Sequence, residues 1–533
     1  MKYWGPAEAI SLTWLSRLLI AGSGAAFGVP AVAQNATVPI ESAQKLNEAQ
    51  DRIEQLQSQV KALQESIAKI QEEMSKATPS WRGAPQLEDR SAGWSFKPRG
   101  RIQFDVGHVS NPDDAISTRN LGFNARVRRI RLGAEGTIPG DFGYRVEMDF
   151  ANNEVRFGDA TMTYAPSDEP YSLTLGNHFT FSGLDQITSS NFTSFLERAQ
   201  MTEAFGGSRR LGASIGLRDK NNILRFNAGL FAAHSIDSGL DNEGWIGAAR
   251  AVYSPEVLSG MLHVGANFQH RKFQSNNDQT TSNSIGAPST NQVARYRARP
   301  FTTLTDLRFV DTGNFAARSD NVYGFEFGGR FKSFHFAGEA QWTHVHIGYE
   351  PGDILAGIDQ FVFNSANGCP TATNCYPIYV VPDDDPGFFS VYGEVGYFFT
   401  GEIRGYRNGA WDRTRALKPL SKGGWGAFQI NGRVDYLDLD DDALKNSLSN
   451  NFISGTASLA SDNSRLGRGG KQLGLLASLV WIPEDNARIL VNYTHSRITG
   501  GPQAATVKPD SSKPVDKRQY GVDTVAARFQ VDF

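Results

Sequence analysis

Asp523-Thr-Val-Ala-Ala-Arg-Phe-Gln-Val-Asp-Phe533 runs on a two-residue beat. Val525, Ala527, Phe529, Val531 and Phe533 share one face, and Thr524, Ala526, Arg528, Gln530 and Asp532 share the other. Successive side chains of a strand point to opposite sides, so this segment reads as a strand with one apolar and one polar face. Such a strand suits a closed barrel with lipid outside and water inside. An amphipathic strand of a soluble sheet has the same beat, and the rest of the chain decides between them.

The chain has 533 residues, with 54 glycines and 11% aromatics, and its mean hydropathy is negative. After the N-terminal region no stretch approaches the roughly 20 apolar residues of a membrane helix, which excludes a helical membrane protein. A membrane barrel stays open, because half of each strand faces water. The net charge of -3 predicts no nucleic-acid partner. Lys2 and Arg17 flank an apolar, small-residue run, Leu18 to Val32, and Ala31-Val32-Ala33 has the form of a cleavage site before Gln34. Residues 1–33 therefore read as an export signal. In an exported chain Cys369 and Cys375 are expected to close a small disulfide loop, with two free thiols as the alternative.

Residues 38–78 carry a different period. Leu46, Ile53, Val60, Ile67 and Met74 alternate with Ala49, Leu56, Leu63 and Ile70 at spacings of three and four. This is a heptad seam and predicts an oligomeric coiled coil. The branched residues at one seam position with leucine at the other lean towards dimers, while the Ile70 layer leans towards trimers. The flanking Gln50, Gln57, Gln64 and Gln71 are uncharged, so ion pairs do not choose the partner. A linker, 79–95, follows. From 96 to 533 the pattern is strand and turn. Tyr144, Val146, Met148 and Phe150 alternate with Arg145, Glu147 and Asp149, and Phe334, Phe336, Ala340 and Trp342 alternate with His335, Glu339, Gln341 and Thr343. Tight connections such as Ile138-Pro-Gly-Asp141 and Pro483-Glu-Asp-Asn486 take turns with long ones near 179–207, 274–319, 349–385, 439–470 and 498–520. Short turns at one rim and long loops at the other mark an outer-membrane barrel, here of about sixteen strands. One long connection, 401–423, falls on the short-turn side and leaves the register there open.

Three stretches resemble the phosphate-selective porin O/P family. The first is Leu173-Thr-Leu-Gly-Asn-His178 running on through Gly183-Leu-Asp-Gln-Ile-Thr-Ser-Ser-Asn-Phe-Thr-Ser-Phe-Leu-Glu-Arg-Ala199, which is similar to the family's third-loop signature. The others are Arg299-Pro300 with Phe309-Val-Asp-Thr-Gly313, and Tyr397 to Arg404 with Gly423 to Phe428 and Asp435 to Asp440. The resemblance implies an all-β, sixteen-stranded transmembrane barrel in the outer membrane of a Gram-negative bacterium. It also implies a homotrimer with the third loop folded into each pore, so that the coiled coil becomes a periplasmic trimer stalk. Phe533 then marks the closing strand as a signal for the barrel-assembly machinery, and outer-membrane lipid is a further partner. The family's phosphate-specific members carry lysines in the third-loop region, whereas here no lysine occurs between Lys97 and Lys220. General anion passage is expected, and high-affinity phosphate binding is not.

Candidate anion-binding residues are mainly arginines, which outnumber lysines more than two to one. A charge on the lipid face near mid-bilayer costs about 2–4 kcal/mol, so strand arginines are expected to face the lumen. Arg129 and Arg131 share one strand face, Arg126 and Arg128 lie nearby with their face left open, and Arg145 sits two residues from Glu147. Arg198 of the third loop and Arg295, Arg297 and Arg299, which repeat every second residue, join them as candidates. Guanidinium groups pair with phosphate or carboxylate through two hydrogen bonds, but the same arginines can instead balance nearby acids. Phe179, Phe181, Asp185, Thr188, Ser189, Ser190 and Glu197 are expected in the constriction loop. His344 and His346 have strand spacing for a metal but no acidic or cysteine partner in view, so no metal site is expected. Gly470-Lys471-Gln472 lacks the residues of a phosphate loop. No catalytic arrangement can be singled out, and no cofactor is implied. The sequence thus predicts a porin for passive diffusion of small anions. A porin for other organic solutes and a tether to the cell wall are the alternatives.

Overall fold

The computed structural model describes residues 40–76, 80–81, 84–89, 92–112, 121–233, 236, 244–273, 293–313, 315–347, 382, 384–445, 469–504 and 512–533. The expected export signal and the Cys369–Cys375 pair lie outside these residues. Ile40–Lys76 is one continuous α-helix. It contains neither glycine nor proline, the two residues that most disfavour a helix interior. Ile53, Leu56, Val60, Leu63 and Ile67 of the heptad seam are exposed in the single chain.

Residues 75–533 form a separate unit, built on sixteen long strands. They are β1 (Trp94–Val109), β2 (Phe123–Ile138), β3 (Phe142–Asp149), β4 (Arg156–Tyr164), β5 (Tyr171–Phe179), β6 (Arg209–Arg218), β7 (Leu224–Ala232) and β8 (Gly244–Tyr253). The second half comprises β9 (Gly260–Phe273), β10 (Ser319–Phe331), β11 (Phe334–His346), β12 (Gly387–Phe398), β13 (Ala427–Asp438), β14 (Lys471–Glu484), β15 (Ala487–Thr499) and β16 (Gln519–Asp532). Each pairs antiparallel with the next, and β16 pairs back onto β1 from Thr524↔Val109 to Asp532↔Arg101. The sheet is closed and has no free edge. Part of the expected linker joins it, since Pro85–Asp89 pairs with the start of β1.

The opening two-residue beat becomes geometry in β16. Val525, Phe529, Val531 and Phe533 are exposed on the outside, and Arg528, Gln530 and Asp532 are buried inside. In β11 the same rule leaves Phe334 and Trp342 exposed, with His335, Glu339, Gln341 and Thr343 inward. This inversion, apolar out and charged in, is what a barrel in lipid requires. Short turns join β2–β3, β10–β11 and β14–β15 at one rim, and the long loops lie at the other. The connection 399–426 is the exception at the short-turn rim. It is a true long segment, folded around a small hairpin, Gly405–Arg407 with Ala410–Asp412.

Closure reaches Phe533. Its backbone N–H donates to Gly100 O at 3.0 Å, and its carbonyl accepts from Gly100 N at 3.1 Å. Its ring occupies the space over Gly100, where an added Cβ would lie 2.2 Å from Phe533 Cζ. A side chain at Gly100 must push this exposed ring aside, which places the cost at the low end of the about 1–3 kcal/mol of overpacking. Gly100→Val is therefore expected to lower the melting temperature of the barrel in a heat-modifiability assay. An unchanged melting temperature for Gly100→Val would contradict this closure.

Candidate functional site

The third long loop, 180–208, runs between β5 and β6 and crosses the lumen rather than standing outside it. Its far side is held by the walls of β11 to β16. The backbone N–H groups of Leu184 and Asp185 donate to Glu339 on β11 at 2.9 and 2.7 Å, and Tyr392 Oη on β12 donates to the same carboxylate at 2.7 Å. Gly183 permits this approach, because a Cβ there would lie 2.1 Å from Glu339 Oε2 and its φ is +119°. Further along, Ser478 Oγ donates to Ser194 O at 2.6 Å, and Gln530 Nε2 donates to Asn191 O at 3.1 Å. Phe195 of the loop packs with Phe301 and Leu476 in a buried apolar cluster.

Glu197 is the loop's principal charged anchor. Arg128 donates to it through Nε and Nη2 at 2.8 and 3.0 Å, and Arg528 Nη2 donates at 2.9 Å. Arg528 is itself paired with Asp105 through two bonds of 2.7 Å. Burial alone would raise the Glu197 carboxyl, but Arg128 and Arg528 outweigh it and hold it well below the ordinary carboxylate range. Within the loop, Arg198 donates to the backbone oxygens of Asp185 and Thr188 at 2.8 and 2.6 Å. Asp185 accepts from the Ala199 N–H at 2.7 Å. These bonds cross-link the loop internally, in addition to its contacts with the wall.

Two more segments fold inward. Residues 299–313 of the fifth loop bury Phe301, Thr302, Thr303 and Leu304, and Arg299 and Arg308 both pair with Glu203 of the third loop. The connection 399–426 enters from the opposite rim. Its Arg404 pairs with Glu394 at 3.1 Å and lies over the Trp411 ring, its Gly409 O accepts from Arg250 at 2.8 Å, and Trp411 N donates to Thr188 Oγ1 at 3.3 Å. Together these segments fill the β8–β14 side of the lumen.

An open space of about 780 Å³ lies on the other side, between the third loop and the wall of β1–β6. Its lining includes eight cations, Lys97, Arg99, Arg101, Arg129, Arg131, Arg145, Arg198 and Arg209, against three carboxylates, Glu135, Glu147 and Asp159. Arg131 pairs with Glu147 and Asp149, Arg145 with Glu135 and Asp159, and Arg209 with Asp159. Arg129 donates to Gln103 at 2.8 Å and forms no ion pair among the described residues; its Nε is buried without a partner. Arg198 bonds only backbone oxygens. Burial lowers its guanidinium to about 10, with Asp185 opposing, so it stays a cation at neutral pH.

The crowding of arginines on β2 has a local cause. The register between β1 and β2 shifts where Gln103 faces Arg129 and Phe104 faces Val127, which makes Arg128 an extra residue. A bulge changes which side chains point inward. Arg126, Arg128, Arg129 and Arg131 therefore all bond groups inside the barrel, although strict alternation would divide them. Arg126 donates to Thr303 O at 2.6 Å.

The remaining expected residues are placed as follows. Ser190 Oγ accepts from Arg101 at 2.7 Å, and Ser189 lines the space. Phe179 lies under Arg209 at 4.1 Å, and Phe181 packs edge-on against Phe231; both line the space. Arg295, Arg297 and Arg299 do not join it. Arg295 pairs with Asp311, Arg299 with Glu203, and Arg297 is exposed. Lys97, Arg99, Arg101 and Arg209 are lining cations that strand spacing alone does not single out, although the first three repeat every second residue as Arg129 and Arg131 do.

A closed sixteen-stranded barrel with a loop drawn across its lumen is the architecture of an outer-membrane porin. A family model for the phosphate-selective porin O and P family matches residues 96–533, and the chain belongs to that family. It is 33% identical over 463 residues to an uncharacterized protein of Caulobacter vibrioides, covering 85% of this chain and 77% of that one. Among solved structures it is similar to the outer-membrane channel DcaP of Acinetobacter baumannii, at 13% identity and a TM-score of 0.43 over 83% of this chain and 98% of that one. It is also similar to an anion-selective porin from Comamonas acidovorans, at 11% identity and a TM-score of 0.43, covering 83% and 100%.

Removing one member of a half-buried ion pair strands the other charge, which costs less than the about 3–5 kcal/mol of a fully buried pair because solvent screens it in part. Glu197→Gln leaves Arg128 without its only carboxylate partner among the described residues. It is expected to loosen the third loop, seen as a noisier open-channel current and faster protease cleavage within 180–208. A quiet current and wild-type cleavage would contradict the anchoring role.

Proposed function

We propose that this porin passes small anions by passive diffusion, along the space between the third loop and the β1–β6 wall. The observation that carries this reading is the excess of eight cations over three carboxylates lining that space. Fixed charge of one sign in a narrow, low-dielectric passage concentrates counter-ions and excludes co-ions. Arg129 and Arg198, which hold no carboxylate, are the guanidinium groups offered to a passing anion. The phosphate preference in the family's name has no third-loop lysine behind it here, so inorganic phosphate is one candidate among small anions. Phe179 and Phe181 support a second reading, organic anions with an apolar part, since both rings line the same space beside Arg209. Blocking of chloride current by phosphate, compared with blocking by an aromatic carboxylate, separates the two.

The helix Ile40–Lys76 supports an oligomer. Its exposed seam of Ile53, Leu56, Val60, Leu63 and Ile67 is covered when copies of the helix pack together in the periplasm. Three copies agree with a trimeric porin.

Two outcomes follow. Arg129→Gln combined with Arg198→Gln is expected to lower the anion-to-cation permeability ratio severalfold in planar bilayers, with the barrel still folded. Arg297→Gln, outside the space, is expected to leave that ratio unchanged. Equal effects of the two changes would refute the proposed route. Deleting 38–78 is expected to lower the temperature at which trimers dissociate in native mass spectrometry or gels while single-channel conductance persists. Loss of envelope integrity alone would favour a tether instead.

A further inference from the structure

Away from the lumen, the fold assembles a group of side chains that the sequence left apart. His344 and His346 stand two residues apart at the end of β11, so they share a face. That face is the outer one, because Thr343 and Val345 between and before them are buried, and Trp342 on the same parity is exposed. The absence of an acidic partner argued against a metal here in the sequence. Pairing of β11 with β12, with His344 opposite Gly387, brings in Asp385 just ahead of β12. His346 Nδ1 lies 2.8 Å from Asp385 Oδ2, and His344 Nε2 lies 4.0 Å from the same oxygen. The three ligand atoms are all within 4.8 Å of one another, and the two imidazole centroids are 4.7 Å apart with the rings nearly perpendicular.

The surroundings orient these groups. The Ile347 N–H donates to Asp385 Oδ1 at 2.8 Å, which leaves Oδ2 turned to the imidazoles. On the other side of His346, Nε2 lies 3.4 Å from the Asn321 amide nitrogen. The oxygen of that amide is 2.8 Å from His270 Nδ1. An amide can present either end, so Asn321 can accept from a His346 Nε2–H once Nδ1 is given to a cation. Metal-bound histidines commonly have such a partner on the second ring nitrogen.

We propose that His344, His346 and Asp385 bind a divalent cation of the zinc class on the outer face of the barrel at its long-loop rim. Two neutral imidazoles and one carboxylate suit such an ion, whereas magnesium and calcium prefer oxygen ligands throughout. Ligands held at about 2.0–2.2 Å in a tetrahedron lie about 3.4 Å apart. Small rotations of these side chains bring the separations to that value, opening the 2.8 Å contact of His346 with Asp385 and shortening the 4.0 Å separation of His344 from it. Three protein ligands leave the fourth position to solvent.

The test uses the full-length, untagged protein in detergent, stripped with a chelator and titrated with Co²⁺. Visible ligand-field absorption reports the geometry, and Zn²⁺ binding is followed by calorimetry. The expected result is the intense absorption of a tetrahedral Co²⁺ site that Zn²⁺ displaces. His346→Ala and Asp385→Asn should each weaken binding at least about tenfold, with channel conductance unchanged as a check on folding. His495→Ala, at a separate pair with Asp523, should leave binding as in the wild type. The proposal is overturned if the wild type shows only weak octahedral absorption, or if the double variant His344→Ala/His346→Ala binds Co²⁺ as the wild type does.

Discussion

One loop carboxylate, Glu197, lies between guanidinium groups from the two strands that flank β1, Arg128 of β2 and Arg528 of β16. The arrangement of the lumen depends on it. Charges inside a barrel interact in a medium far less polarisable than water, so an unpaired member would be costly and the paired set is stiff. Holding Glu197 there ties the third loop to β2 and β16, while Glu339, Ser478 and Gln530 hold its far side against β11–β16, and the rest of the β1–β6 wall lines the open space. The passage is therefore what remains when one side of the lumen has been filled.

Most lumen arginines are not available to a solute in full. Arg131, Arg145 and Arg209 each share their charge with Glu135, Glu147, Asp149 or Asp159. These carboxylates hold the wall together, yet they are fewer than the cations around them, so a positive field survives. Selectivity is proposed to be a property of the whole wall, in which Lys97, Arg129 and Arg198 form no ion pair with a carboxylate among the described residues. Such a field attracts anions in general, which fits a passage without third-loop lysines better than a dedicated phosphate site.

The barrel was legible because lipid imposes it on every strand. The beat from Val525 to Phe533 and the alternation from Phe334 to Thr343 are the same constraint written twice, and both place their apolar members outside. The long connection near 401–423 looked like an error of register because its length suits a loop at the other rim. It fills the lumen from below, and no periodicity announces that. The bulge at Arg128 was hidden for a related reason: one inserted residue reverses the apparent faces of everything beyond it. Arg295, Arg297 and Arg299 show the converse, since a two-residue spacing says nothing about which carboxylates the fold brings near. Asp311 and Glu203 are those carboxylates.

Anion preference in this porin rests on the net positive charge lining the passage. The most direct measurement is the zero-current potential of the reconstituted wild-type protein across a planar bilayer with a KCl gradient. The expected potential has the sign that makes chloride the more permeant ion, with a preference that weakens as salt concentration rises. A potential of the opposite sign, favouring potassium, would contradict it.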